Sequence, residues 1–200
     1  MSIRPQQVGP VEVPVVTGAI AGALSVVTGY LVTLVVVAIA ESDSIFDDLL
    51  ASAGWVYYNA QFVNAELVIE RDEDAGVLED FFAGLAEHEF NLVTGDGATA
   101  ELVDLAAPAL VYHLIPVVAF LVAGFVVARR VGAVDGVQGA VAGASLVLGA
   151  VVVALLGTFV FTLSDNGAAI SPLFLEGVVL AGIAYPGLLG ALGGFLSTQV

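Results

Sequence analysis

VVTGAIAGALSVVTGYLVTLVVVAIA, Val15–Ala40, decides the fold. This stretch contains no Asp, Glu, Lys or Arg. As an α-helix it exceeds the roughly 20 apolar residues that a bilayer's hydrocarbon core demands. Working outward, three further stretches have the same character: Ala106–Ala128, Val137–Leu163 and Leu173–Leu196. Their one strongly ionisable residue is Glu176, three residues from an end.

Composition agrees. The chain of 200 residues is 59% hydrophobic and 12% charged, with mean hydropathy +1.02. A soluble domain carries about 25% charged residues, so an ordinary cytosolic globule is excluded. The expected fold is an all-α membrane protein, a four-transmembrane-helix bundle with a small acidic extracellular α+β cap.

Orientation follows from the arginines, because basic residues stay on the cytoplasmic side. Arg4 precedes the first span and Arg129-Arg130 closes the second. Residues 1–14, 129–136 and 197–200 are then cytoplasmic, and both termini lie inside. Residues 41–105 form the outer cap and 164–172 an outer loop. The cap segment holds sixteen of the chain's acids and one arginine, Arg71. Ala38-Ile39-Ala40 resembles a signal cleavage site, but a signal's apolar core runs about 7–15 residues behind a basic flank. The 15–40 stretch is longer, and its one arginine lies eleven positions upstream. We read an uncleaved span.

Net charge is −16, with four arginines and no lysine. Nucleic acid is excluded as a partner, since phosphate binding needs basic surface. Acid excess without lysine is typical of proteins working at molar salt, where the Debye length is about 3 Å and self-repulsion is screened. A merely acidic outer domain is the other reading. With no cysteine, disulfides and thiolate sites are excluded.

An internal repeat is suggested. Gly18–Ala23 matches Gly139–Ala144, and Pro116, Gly124 and Phe125 have the spacing of Pro186, Gly194 and Phe195. The chain reads either as two duplicated hairpins in parallel orientation or as helices of shared composition. Glycines allow helices to approach closely in lipid. Gly18, Gly22, Ser25 and Gly29 share one face, as do Gly187, Gly190 and Gly194. With Gly139 and Gly143 they are the expected packing residues, within one bundle or between copies.

Candidate chemistry is sparse. Pro116 and Pro186 each remove a backbone hydrogen bond, freeing the carbonyls of Tyr112 and Gly182. Paired helix breaks point to a midplane site in transporters, and prolines also occur in membrane helices for structural reasons. His113 lies about 10 Å inside its span by the 1.5 Å helical rise. It is either part of a proton or cation relay with Tyr112, or a histidine hydrogen-bonded to a neighbouring helix. Glu176 is its conceivable partner, although the repeat places it nearer the outer boundary. There is no G-x-S-x-G, H-E-x-x-H or P-loop. Asp72-Glu73-Asp74 lacks the ligand pattern of a calcium loop. No metal, cofactor or catalytic group is assigned, and a non-enzymatic role is favoured.

In the cap, Ile45–Val63 has helical apolar spacing. We expect an amphipathic helix on the outer surface, its Trp55, Tyr57 and Tyr58 at the interface. Trp55, Tyr58, Asn59 and Gln61 then either dock that helix or line an outer vestibule. Ala65–Glu70 is expected to pair with Phe90–Thr94, with a short helix around Val77–Leu85 and a turn at Thr94–Gly97. Gly54–Phe62 (GWVYYNAQF) and Tyr112–Pro116 (YHLIP) resemble an uncharacterised family of small haloarchaeal four-span membrane proteins. That resemblance implies a membrane location and no particular reaction. The expected partners are the bilayer itself and a second copy or another envelope protein, with any small-molecule substrate unknown. The expected role is structural or accessory; a small ion, proton or solute transporter is the alternative.

Overall fold

The computed structural model describes residues 13–40, 48–69, 88–97, 105–165 and 168–200. The region around Val77–Leu85 and the acids Asp72–Asp74 lie outside them. Among the described residues, four helical rods are long and apolar enough to cross a membrane: Val15–Ala40, Ala109–Arg130, Gly136–Val160 and Phe174–Ser197. We label Val15–Ala40 α1 and Ala109–Arg130 α3; Leu49–Asn59 between them is α2.

The third rod is broken. Gly136–Ala144 is α4 and Val147–Val160 is α5. At the joint the Ser145 hydroxyl bonds back to the Ala142 carbonyl at 2.6 Å, and such back-bonding bends helices. Asp135 caps the start of α4, its carboxylate accepting from Gln138 N–H at 2.9 Å. The fourth rod opens with one turn, Phe174–Glu176 (α6), continues as a π-helix over Gly177–Ala184, and ends as Tyr185–Ser197 (α7). Tyr185 N–H reaches back to Leu180 O, five residues away. Continued one residue, that register places the bond Pro186 cannot make at Ala181, not at Gly182 as α-geometry requires. Pro116, by contrast, lies inside an uninterrupted α-helix.

Glycines set the helix contacts. A Cβ at Gly143 would collide with the Gly190 carbonyl, and one at Gly194 with the Gly139 carbonyl, so α4 and α7 touch backbone to backbone. On α1, Gly22 meets the Leu146 carbonyl and Gly149 of α5 meets that of Ala19. Gly29 makes room instead for the Tyr57 ring, whose hydroxyl lies 2.8 Å from where a Cβ would be. Gly187 is looser, 3.3 Å from a Val147 methyl by the same measure.

A four-stranded antiparallel sheet closes one end of the bundle, in the order β2-β1-β4-β3. Its strands are Ala65–Ile69 (β1), His88–Phe90 (β2), Leu163–Asp165 (β3) and Ala168–Pro172 (β4). β1 pairs with β2 in the register Ala65↔Phe90 and Leu67↔His88. The partner thus precedes the expected Phe90–Thr94, because Asn91 turns the chain: its side chain accepts from Val93 and Thr94 N–H at 3.1 and 3.0 Å. The longer ladder, Ala65↔Pro172 to Ile69↔Ala168, joins β1 to the segment between the last two rods. That segment was expected to be a loop. Its hairpin signal is Asn166-Gly167, a dipeptide favouring two-residue turns.

α2 does not lie on a surface. Every residue from Ala51 to Ala60 is buried. The Asp48 carboxylate caps its start through Ala51 N–H at 3.0 Å. Trp55 donates its indole N–H to the Phe161 carbonyl at 2.7 Å, and Tyr58 donates to the Ala154 carbonyl. Small residues on the rods, Gly29 and Gly157, receive the two tyrosines. The sequence does contain the signal: no charge occurs between Asp48 and Glu66, in a segment otherwise rich in acids. A helix apolar all round is buried, not surface-lying.

Candidate functional site

A helix that ends inside a bundle leaves its last carbonyls without intrahelical donors. The polar centre of this molecule is the answer to that problem at the end of α2. Phe62 N–H donates to Asn59 O at 3.0 Å and Val63 N–H to Tyr58 O at 3.1 Å, the double closure of a Schellman motif. The position that usually carries glycine is Phe62, with φ of 61°. A non-glycine residue there costs about 1–2 kcal/mol.

Side chains satisfy the rest. Gln61 donates to the Tyr57 carbonyl at 3.1 Å. Asn59 donates to Val63 O at 2.7 Å and accepts from Leu92 N–H at 2.9 Å. His113 Nδ1 stands 2.8 Å from the Ala60 carbonyl, and Tyr185 donates to the same oxygen at 3.5 Å. A carbonyl only accepts, so His113 carries a proton on Nδ1. Its ring stacks on Phe62, centroids 4.9 Å apart and planes 24° from parallel. The strained residue thus holds its ring against the histidine.

Glu176 holds the other end of the same turn. Its carboxylate accepts from Asn64 N–H at 2.7 Å. His113 and Glu176 therefore grip Ala60 and Asn64, four residues apart, instead of pairing with each other. Tyr112 is fully buried, in a core with Val37, Ala53 and Val56. Pro116, Gly182 and Pro186 are buried in the rods.

Among the described residues, Thr33 Oγ1, Tyr57 OH and Gln61 Oε1 are buried with no hydrogen bond of good geometry. Gly29, against the Tyr57 hydroxyl, and Thr33 are one turn apart on α1. Gln61 is four residues beyond Tyr57. Burial pushes the Tyr57 and Tyr58 phenols well above their ordinary range, so both are neutral, and Tyr58 donates to the Ala154 carbonyl. Among the described residues, no three His, Asp or Glu side chains gather as metal ligands.

Sequence reasoning missed Thr33, Asn64, Asn91 and Tyr185, and read Tyr57 as interfacial although it is buried. Tyr185 had a visible marker, its place beside Pro186 in an apolar stretch. Asn64 and Asn91 had none, because their partners lie far away in the chain.

A family model described as a family of unknown function, DUF7978, matches residues 3–200. The chain belongs to that family. No curated protein and no solved structure matches the chain. For this DUF7978 member, the helix-end cluster and the four apolar rods are therefore the basis for a functional reading.

Proposed function

We propose that the chain is a multi-span membrane protein of structural or accessory function, its arginine-bearing end in the cytoplasm and its acid-rich segment outside. Four rods of bilayer length support the membrane location. The observation that carries the role is the placement of α2. Trp55, Tyr57 and Tyr58 fill the space among the rods, and His113, Tyr185 and Glu176 spend polar atoms on the turn that follows it. Groups committed to holding a plug in place are poorly suited to a passing ion. In this reading α2, packed against the rods, and the sheet beside it present that end of the molecule to an envelope partner.

Reconstitution in liposomes tests this. Proton and sodium flux should not exceed that of empty vesicles. Native-membrane crosslinking should give a reproducible higher-mass species. Flux in the wild type, or a solitary monomer in native membranes, overturns the reading. Single cysteines at Asp72 and Asp135 test the orientation, which predicts labelling from outside and inside respectively.

A further inference from the structure

Between α1 and α3 runs an open apolar groove of about 760 Å³. Small residues form its floor, Ala21 and Ser25 on α1 and Ala119 and Ala123 on α3, while Leu24 and Val122 stand at the rims. Its end carries Arg130. From Arg130 to Leu114, the ends of its lining on α3, is about 24 Å by the helical rise, most of a hydrocarbon core roughly 30 Å thick.

The two arginines closing α3 differ. Arg129 donates to the Val200 carbonyl at 2.8 Å and lies 5.3 Å from the centre of the Phe125 ring. Arg130 is exposed, and among the described residues it has no hydrogen-bond or ion-pair partner. The nearby carboxylate of Asp135 is occupied with the N-terminus of α4. A second copy docked symmetrically on this groove would bring another Arg130 to it, charge against like charge. A negatively charged group with an apolar tail meets both requirements.

We propose that the groove binds one anionic phospholipid, its phosphate at Arg130 and an acyl chain along the small-residue floor. Guanidinium matches phosphate in a paired, planar geometry, and basic pockets at the cytoplasmic end of helices select anionic headgroups. The inference rests on the membrane reading above.

Native mass spectrometry of detergent-purified protein, titrated with dioleoyl phosphatidylglycerol or dioleoyl phosphatidylcholine, is the test. The wild type should retain one phosphatidylglycerol in preference to phosphatidylcholine. Arg130→Gln should lower that preference about tenfold, the value of one charge-assisted contact, while Arg130→Lys keeps most of it. Ala119→Trp, which fills the groove with Arg130 intact, should abolish retention. Folding of the Arg130 variants is checked by the fluorescence of Trp55, and that of Ala119→Trp, which adds a second tryptophan, by a monodisperse peak in size exclusion. Equal retention by Arg130→Gln or Ala119→Trp overturns the proposal. So does efficient disulfide crosslinking of Val118→Cys between copies, which gives the groove to a second chain. Protein that stays soluble without detergent refutes the membrane reading itself; protein that needs detergent but shows no lipid preference refutes this inference alone.

Discussion

His113→Ala removes the shorter of the two contacts to the Ala60 carbonyl, the one at 2.8 Å, and leaves Tyr185 at 3.5 Å as the remaining donor. A buried carbonyl stripped of its partner costs about 1–3 kcal/mol. Loss of the stacking on Phe62 adds about 0.5–1.5 kcal/mol, at the low end because Phe62 is 54% exposed. Together the variant should lose about 1.5–3.5 kcal/mol of unfolding free energy. Trp55 is the natural reporter: it is the chain's single tryptophan and is held in α2 by Phe161. Denaturant titration in micelles, followed by its fluorescence, measures the loss. His113→Asn is the decisive companion, since its amide nitrogen can stand where Nδ1 stands. It should recover about 1 kcal/mol or more relative to alanine. Equal stability of the two variants, or an alanine variant as stable as wild type, refutes the helix-end role. Wild-type proton flux abolished by His113→Ala at unchanged stability would assign the histidine to transport.

Three further outcomes follow from the same geometry. Thr33 has a buried hydroxyl without a partner among the described residues, so Thr33→Val should stabilise the protein by about 1 kcal/mol in the same titration; a loss would mean that the hydroxyl is bonded. Phe62→Gly should be more stable than Phe62→Ala by about 1–2 kcal/mol, because only glycine relieves the left-handed strain; the reverse order contradicts the Schellman assignment. Gly143→Val drives a side chain into the Gly190 backbone and should abolish the monodisperse peak in size exclusion, whereas Gly187→Ala meets only a movable Val147 methyl and should keep it.

Tyr185→Phe addresses sharing of the Ala60 carbonyl. Alone it should cost under about 0.5 kcal/mol, since its contact is at the limit of hydrogen bonding. In the His113→Ala background the cost should rise, giving a measurable coupling between the two residues. Strict additivity would mean that they do not serve the same oxygen.

The sequence by itself determined the four rods. Length, the absence of charge and the 1.5 Å rise suffice for that, because such a signal is local and repeats over more than twenty residues. It also picked out His113, Glu176 and the Trp55–Gln61 block as unusual, since polar groups beside apolar helices stand out in composition. Their partners were beyond it. The surface placement expected for α2 came from reading Trp55 and Tyr58 as interfacial aromatics, when the missing charge between Asp48 and Glu66 is the stronger sign of burial. The proline pair suggested equivalent breaks, yet Pro116 is absorbed in α-geometry and Pro186 by a π-helix, a choice made by neighbours.

Only the tertiary structure decided that β1 pairs with a segment a hundred residues away, that Glu176 grips Asn64, and that His113 serves the end of α2. A helix end buried inside a bundle must find donors wherever the fold brings them. That demand is set by hydrogen bonding, but the identity of the donors depends on which distant elements come within 3 Å, and no local pattern in the chain encodes it.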